Sequence, residues 1–329
     1  MMRTVPAAAD AVPDGADALK VRIRDLLGDS RVPEAIRVVR DTSDFFKVER
    51  GDVLQLSGRH YLIRGNEREG RFGLDEEPKL WVKRAIDLAN GDVKIIKLSF
   101  TESFAVSVGE VTFDLSRSPR KEARILDRVQ GHSGFMQGFS VRDTADNIVR
   151  IIEFIRGDTL HQHVISLAED HERYYRESFP EIFRNFHGLV EAIYFLHRAG
   201  EKHGDIRRDH ILVEKETGLH RWIDFDFNFH SPANPFGYDL FGLGNVLAFL
   251  VGGGDQLVGD LKRDRPELYG TLVPGDLNIV FRNRIVNLRK IYPYVPEELN
   301  DVLLRFSRAS EVYYERTEEL LEDLSAVVL

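Results

Sequence analysis

The feature that most constrains this chain is a change of pattern along its length, from short strands to long helices. Between residues 45 and 115, short runs of β-branched and aromatic residues alternate with Gly-bearing turns, which is typical of antiparallel strands. After Asp158, apolar residues recur three and four positions apart, as on the buried face of a helix. Strands first and helices after predict an α+β chain in two lobes, a β-rich N-lobe and a helical C-lobe.

The predicted domain boundaries follow this change of pattern. Residues 1–43 are predicted to be a flexible tail, rich in Ala, Pro, Asp and Gly, followed by N-terminal helices. One of these helices is expected to begin at Pro33 and to end at Arg40, because proline is favoured in the first turn of a helix. Residues 44–155 then form the N-lobe, and residues 156–329 form the C-lobe.

Within these lobes, the pattern predicts individual elements. Runs rich in Val, Ile and aromatic residues predict strands at 53–56, 61–63, 80–82, 93–97 and 149–155. Alternation on both sides of residues 109–110 predicts a further hairpin, from Phe104 to Leu115. Apolar residues at helical spacing predict helices at 121–129, 182–196, 240–250 and within 303–328.

Composition narrows the class of protein. Among 329 residues, Lys and Arg number 45 and Asp and Glu 54, which gives a net charge of −9 and argues against nonspecific nucleic-acid binding. The chain has no cysteine, which excludes disulfides, thiol nucleophiles and thiolate metal sites. No apolar run reaches membrane-spanning length and the N-terminus lacks a secretion signal, so we expect a cytoplasmic protein without membrane or nucleic-acid partners.

Two short segments that follow the first long helix carry clustered charges. Residues 203–210 read His-Gly-Asp-Ile-Arg-Arg-Asp-His, and residues 224–226 read Asp-Phe-Asp. Phosphoryl transfer needs a carboxylate near the attacking hydroxyl, carboxylates on Mg²⁺ and cations on the phosphates. These residue types are all present here, so the two segments favour the chemistry of a phosphate-bearing, metal-bound ligand.

Residues 203–210 and 224–226 resemble the catalytic loop and the metal-binding motif of the protein kinase-like superfamily. The His-Gly-Asp opening is similar to that of the aminoglycoside phosphotransferase branch. The resemblance implies that Asp205 is the catalytic base, that Arg207 holds the transferring phosphate and that Asp224 binds the metal. It also implies that ATP is the phosphoryl donor.

Further residues follow in the order of that superfamily. Lys97 resembles the strand lysine that contacts the α- and β-phosphates, and Glu122 resembles the helix residue that pairs with it. Asp239 resembles the buried helix aspartate that braces the catalytic loop. Residues 152–157 resemble the hinge beside adenine, with Ile152 as the gatekeeper. The residues that the resemblance places around ATP are Lys97, Glu122, Val82, Ile152, Glu153, Ile155, Gly70 and Gly73.

Several positions depart from the superfamily pattern. His210 stands where the pattern has a metal-binding Asn, and Asp226 stands where it has a Gly. Mg²⁺ prefers oxygen ligands whereas imidazole suits transition metals, so Asp224, His210 and Asp226 are candidate ligands of Mg²⁺ or Mn²⁺. The segment from Asp224 to Asp239 is too short for a usual activation loop and contains no Ala-Pro-Glu. We therefore expect neither a standard peptide-docking platform nor activation by phosphorylation of this segment.

The resemblance implies an ATP-dependent phosphotransferase that acts on a hydroxyl, and the leading hypothesis is a Ser/Thr side chain on a protein. That hypothesis rests on the helix and hinge patterns, which are similar to those of serine/threonine kinases. A small-molecule kinase of the aminoglycoside phosphotransferase type is the first alternative, favoured by His-Gly-Asp and by the short segment after Asp224. The second alternative is a pseudokinase, which is a nucleotide-binding or scaffold module without turnover. It is favoured by His210 and by the irregular spacing of the glycines in the region of Gly70 and Gly73.

Overall fold

The computed structural model describes residues 15–69, 77–108, 111–168, 170–231 and 234–329. The strands in these residues are, in chain order, β1 Val38–Val39, β2 Val53–Leu56, β3 Arg59–Glu69, β4 Glu77–Asp87, β5 Val93–Lys97, β6 Ser103–Val108, β7 Val111–Arg117, β8 Gly138–Arg142, β9 Ile148–Glu153, β10 Gly157–Thr159, β11 Ile211–Glu214, β12 His220–Trp222 and β13 Phe227–His230. The α-helices are α1 Ala16–Leu27, α2 Pro119–Arg128, α3 Leu160–Leu167, α4 His171–Glu177, α5 Phe179–Arg198, α6 Gly237–Val251, α7 Val258–Asp264, α8 Pro266–Tyr269, α9 Glu297–Leu304 and α10 Thr317–Ala326.

The chain divides into two compact units. The first comprises residues up to 101, 118–131 and 136–154, and the second comprises 102–117, 132–135 and 155–329. The first is built on a large sheet, whereas the second contains helices α3 to α10. This distribution confirms the predicted α+β class with a β-rich and a helical part. The hairpin formed by β6 and β7 groups with the second unit, although by sequence it lies within the segment 44–155.

The first unit is organised around the sheet β1-β2-β3-β4-β5-β9-β8. In this sheet β1 runs parallel to β2, and the other neighbours are antiparallel. Because side chains alternate between the two faces of a strand, one face can collect the apolar residues. Its buried side chains include Leu54, Ile63, Ala85, Ile96 and Ile151. The predicted strands of this region are confirmed, and the strand predicted at 93–97 has the bounds of β5.

The N-terminal segment packs on the same unit. Leu19 and Ile23 of α1 are buried in a cluster with residues of the sheet, Val53, Leu62 and Leu88. The helix predicted from Pro33 to Arg40 is wrong, because Val38–Val39 forms a strand there. Val38 and Val39 are β-branched and favour extended backbone, and β2 offers an edge to which they can pair.

Helices α5 and α6 occupy the centre of the second unit. One face of α5 buries a row of apolar side chains, whereas α6 is buried around most of its circumference. The predicted helices at 182–196 and 240–250 are confirmed, and the region 303–328 contains the end of α9 and the whole of α10. None of the described helices is both long and apolar enough to cross a membrane.

Two small sheets complete the second unit, with strand orders β10-β11-β12 and β13-β7-β6. The predicted hairpin is confirmed by the register of β6 and β7, in which Phe104 lies opposite Leu115. Strand β13 pairs antiparallel with β7, so the chain directly after Asp226 is tied to this hairpin. Phe113, Leu115, Phe227 and Phe229 form a buried apolar cluster between the paired strands.

The imidazole of His171 provides a test of the helical packing in this unit. Its Nδ1 lies 2.7 Å from the hydroxyl of Tyr294, its Nε2 lies 2.9 Å from the carbonyl oxygen of Val251, and its ring stacks on Tyr292. Burial lowers the pKa of His171 below its ordinary value of 6.5. The folded state therefore favours the neutral ring, whereas the unfolded state takes up a proton as the pH falls through that value.

We expect the stabilisation from neutral His171 to be complete above the unfolded pKa and to be lost progressively below it, towards the lower folded pKa. A His171→Phe variant cannot take up this proton, so its free energy of unfolding should fall less than that of the wild type between about pH 7.5 and about pH 5.5. Urea denaturation at the two pH values measures the difference. Equal losses in the wild type and in His171→Phe would contradict this prediction.

Candidate functional site

The first unit contains a buried pair formed by Lys97 and Glu122. The Nζ of Lys97 lies 2.6 Å from Oε1 of Glu122, and the two side chains are 3% and 0% exposed. Helix α2 places Glu122 in its first turn, where the hydroxyl of Ser118 caps the helix by accepting a hydrogen bond from Lys121 N–H. The helix N-terminus also favours a carboxylate in this turn. The predicted pairing of strand lysine and helix glutamate is confirmed.

Arg150 of β9 is a third member of this group, which sequence reasoning missed. Its Nε donates to Oε2 of Glu122 at 3.0 Å, so the one carboxylate is bonded to two buried cations. In the sheet, Arg150 lies directly opposite Lys97. The available signal was a lone arginine inside the apolar run Ile-Val-Arg-Ile-Ile, since a charge in a buried strand needs a partner.

Other residues that the sequence assigned to ATP lie near Lys97 on the sheet. Val82 is opposite Lys97 in the register of β4 and β5, and Ile152 is opposite Ile95 in that of β5 and β9. By alternation, Val82, Lys97 and Ile152 share one face of three neighbouring strands. Glu153 is exposed, and its N–H donates to the carbonyl of Gln137 at 2.9 Å. Ile155 is a buried residue of the second unit, whereas Gly70 and Gly73 lie outside the described residues.

In the second unit, the structure brings Asp205, Arg207, His210 and Asp224 together. Nε of Arg207 lies 3.3 Å from Oδ1 of Asp205. The imidazole of His210 lies between the two aspartates, with Nδ1 3.4 Å from Oδ2 of Asp205 and Nε2 3.7 Å from Oδ2 of Asp224. We call these four residues the loop cluster. The sequence predicted each of them as a site residue.

The contacts of His210 give different roles to its two ring nitrogens. A guanidinium can only donate, so Nε2 of His210 is the acceptor for Nη2 of Arg207, which lies 2.5 Å away. The other nitrogen, Nδ1, lies 2.9 Å from the carbonyl oxygen of Asp205, which can only accept. His210 therefore links the backbone of Asp205 to the guanidinium of Arg207.

The backbone of the loop is held by Asp239, as predicted. Its carboxylate is fully buried and accepts hydrogen bonds from the N–H groups of His203 and Gly204, both at 2.8 Å, and from Nε2 of His197 at 3.0 Å. Burial alone would raise the pKa of Asp239, but the hydrogen bond and charge of His197, with the bond from Gly204 N–H, lower it overall. The ring of His203 in turn accepts a hydrogen bond from Asp205 N–H at 3.3 Å, which confirms its predicted structural role.

Tyr238 is a further neighbour of the loop that sequence reasoning missed. Burial, together with the charges of Asp205 and Asp239, raises its pKa to about 12. The phenol is therefore neutral at physiological pH and adds no charge beside Asp205. Its position directly before Asp239 in the sequence was the only signal available.

The two carboxylates of residues 224–226 have different surroundings. Asp224 has a φ of 60°, in the left-handed region that non-glycine residues rarely adopt, and its side chain is 14% exposed. Asp226 is 1% exposed and forms an ion pair with Arg117, whose Nη1 lies 2.5 Å from Oδ2. Sequence reasoning missed Arg117, because the residue is distant in the chain and no motif marks it.

The donor set can be tested against the metal that the resemblance implies. Among the described residues, no group of three or more His, Asp or Glu side chains could hold a metal ion. Mg²⁺ is commonly bound by one or two carboxylates together with substrate phosphates and waters, so the carboxylate of Asp224 fits this ion. His210 fits less well, because its Nε2 already accepts a hydrogen bond from Arg207. Asp226 is likewise engaged by a buried arginine.

The comparisons with known proteins point to kinases. No protein-family model matches the chain. The chain is 24% identical to the mouse phosphorylase b kinase gamma catalytic chain, liver/testis isoform, over 170 residues, which cover 51% of this chain and 39% of the relative. It is 24% identical to the ovarian-specific serine/threonine-protein kinase Lok of Drosophila melanogaster over 188 residues, 51% of this chain and 37% of the relative.

Among solved structures, the kinase domain of Mycobacterium tuberculosis PknI matches with a TM-score of 0.47 and 14% identity, covering 84% of this chain and 98% of that one. The chain spans only 22 to 39% of the length of the curated relatives that it matches.

A Glu122→Gln substitution tests the buried group of the first unit. It removes the charge that Lys97 and Arg150 share while keeping the size of the side chain, and leaves two buried cations facing a neutral amide. Breaking a buried ion pair in this way should lower the free energy of unfolding by about 3 to 5 kcal/mol. Chemical denaturation measures the change. Glu153→Gln, which alters an exposed residue of the adjacent strand, should change stability by less than about 0.5 kcal/mol; a similar small effect of Glu122→Gln would contradict the assignment.

Proposed function

We propose that this chain is a member of the protein kinase-like superfamily and an ATP-dependent phosphotransferase that transfers the γ-phosphate to a hydroxyl. The observation that carries the proposal is the loop cluster, in which a partly exposed carboxylate, an arginine and a second carboxylate meet around His210. Phosphoryl transfer depends mainly on positioning and on electrostatic stabilisation, and these are the groups that it requires. The paired Lys97 and Glu122 of the first unit support the same function.

In the proposed reaction, Asp205 accepts the proton of the attacking hydroxyl. Its side chain is 15% exposed, so an acceptor can reach it, and its backbone is fixed through His203 and His210. Arg207 supplies the positive charge that holds the transferring phosphate. Lys97, kept in place by Glu122, binds the α- and β-phosphates of ATP, and Val82, Ile152 and the backbones of Glu153 and Ile155 are proposed to contact its base.

Asp224 is the residue proposed to hold a divalent cation, Mg²⁺ or Mn²⁺. When bound, the cation would neutralise charge on the phosphates. The ring of His210 contacts Arg207 and the backbone of Asp205 in this proposal and does not ligate the cation.

For the acceptor, we propose a Ser/Thr side chain of a protein. The matched relatives include a protein named as a serine/threonine-protein kinase, and this supports the choice. A small-molecule acceptor is the second candidate. It is favoured by the segment between Asp224 and α6, because β13 pairs with the hairpin and leaves few residues for a peptide-docking loop. The third possibility, a pseudokinase, is opposed by the complete set Lys97, Glu122, Asp205, Arg207 and Asp224.

An Asp205→Asn substitution tests catalysis. Loss of a general base typically reduces kcat by about 100-fold to 10,000-fold, and we expect a loss in this range. The affinity for the nonhydrolysable analogue AMP-PNP should stay within about twofold, because Asp205 is assigned to the acceptor and not to the nucleotide. Labelled ATP with Mg²⁺ or Mn²⁺ measures turnover, and calorimetry measures affinity. Asp209→Asn, a change of carboxylate in the same loop, is the control and should retain activity. Full turnover in Asp205→Asn would exclude it as the base.

The acceptor class is tested by adding candidate acceptors to the same assay. We expect labelled phosphate on Ser/Thr-containing peptides or on the protein itself, and no label when Asp205→Asn replaces the wild type. ATP consumption that rises only with small hydroxylated compounds would support the small-molecule kinase instead. Nucleotide binding without label and without ATP hydrolysis, under all conditions, would support the pseudokinase.

A further inference from the structure

The turn at Asp224 needs support from the residues around it. With φ at 60°, this non-glycine residue adopts a left-handed backbone that L-amino acids disfavour. Such conformations persist only where the surrounding structure determines them. The question is therefore which contacts hold the chain on each side of Asp224, the residue to which the proposed function assigns the cation.

The chain before Asp224 is fixed by the interior of the second unit. Ile223 N–H donates to the carbonyl of His210 at 2.9 Å. Trp222 is fully buried, with its backbone N–H bonded to the carbonyl of Gly134 at 2.9 Å and its indole N–H bonded to the carbonyl of Leu189 at 3.0 Å. This side of the turn is thus anchored by backbone hydrogen bonds and by one large side chain.

The chain after Asp224 is held by the buried ring of Phe225, which packs against Phe135 and His203, and by Arg117, the last residue of β7. Its guanidinium contacts Asp226 through Nη1 at 2.5 Å and Glu102 through Nε at 3.0 Å, and lies 4.2 Å from the ring centroid of Phe227. Arg117 and Asp226 are 4% and 1% exposed. In the sheet register, the backbone of Arg117 is also the partner of Phe227. One residue therefore binds the side chain of Asp226 and pairs with the next residue along the chain.

The negative charge of Asp224 also acts on Arg117. Burial alone would lower the pKa of Arg117, but the charges of Asp226, Asp224 and Glu102 raise it overall. Arginine suits this position because its planar group presents several donors in fixed directions and can serve two carboxylates at once. A lysine has one compact ammonium at the end of a flexible stem and cannot reproduce both contacts with the same geometry.

We propose that Arg117 is a positioning residue for the cation-binding carboxylate: through Asp226 and the pairing of β7 with β13, it holds the turn that presents Asp224. The proposal rests on the proposed function, since it assigns a cation to Asp224. The proposal also assigns a role to the hairpin of β6 and β7, which is to hold β13 after the turn. The hairpin holds residues 227–230 by backbone hydrogen bonds and residue 226 by an ion pair.

The test compares Arg117→Met and Arg117→Lys with the wild type and with Arg305→Met. Arg305 is a matched control, because its guanidinium also pairs with an aspartate, Asp323 at 3.2 Å, and lies over an aromatic ring, that of Tyr314 at 4.8 Å. Calorimetry measures the affinity for AMP-PNP with and without MgCl₂, and thermal unfolding shows which variants are folded. The measured quantity is the factor by which Mg²⁺ increases nucleotide affinity.

We expect Arg117→Met to reduce this factor at least about tenfold, while metal-free affinity stays within about twofold of the wild type. In Arg117→Lys, the increase in nucleotide affinity caused by Mg²⁺ should lie between those of Arg117→Met and the wild type. In Arg305→Met, this increase should equal that of the wild type. A purely structural role for Arg117 would lower the melting temperature without changing the factor, and that result would overturn the proposal. If Arg117→Met does not fold, Arg117→Lys and Glu102→Gln decide by the same measure, and an unchanged factor in both overturns it. A wild type that binds no nucleotide with or without Mg²⁺ would instead contradict the proposed function itself.

Discussion

The buried carboxylate of Asp239 is the charge on which the arrangement of the loop 203–210 depends. A charged group that is buried away from water must be stabilised by hydrogen bonds. Here the N–H groups of two consecutive residues and one imidazole donate them to Asp239. The two N–H groups bond to different oxygens of the carboxylate, that of His203 to Oδ2 and that of Gly204 to Oδ1. Directly after them the chain turns at Gly204, whose φ of 87° lies in a region that glycine adopts readily. Asp205 is the next residue in the sequence, so its position depends on the hydrogen bonds that Asp239 accepts from His203 and Gly204.

The loop 203–210 in turn helps to determine the position of Asp224. His210 accepts the N–H of Ile223 with its carbonyl, and its ring contacts the backbone of Asp205 and the guanidinium of Arg207. The same residue thus connects the loop to the strand that leads into Asp224. The two nitrogens of the histidine ring contact Arg207 and the loop backbone at the same time.

The sequence predicted those parts of the molecule that local patterns encode. Strands and helices with clear periodicity were found at their positions, and Lys97, Glu122 and Asp239 make the contacts that their motifs predicted. Arg150 and Arg117 were missed because each acts through a partner on a distant part of the chain, and spacing carries no information about such pairs. The helix expected from Pro33 was wrong for a related reason: a neighbouring strand edge outweighed the local preference for a helix start.

The exposure of their side chains separates the carboxylates into two groups. Glu122, Asp226 and Asp239 are 0%, 1% and 0% exposed, and each is bonded to lysine, arginine, histidine or backbone donors. Asp205 and Asp224 keep 15% and 14% of their side chains exposed. A carboxylate enclosed by donors has its charge already compensated, whereas a partly hydrated one can exchange water for a hydroxyl or a cation at small desolvation cost. The proposed function accordingly assigns chemistry to Asp205 and Asp224, whereas Asp239 holds the loop before Asp205 and Asp226 holds the chain after Asp224.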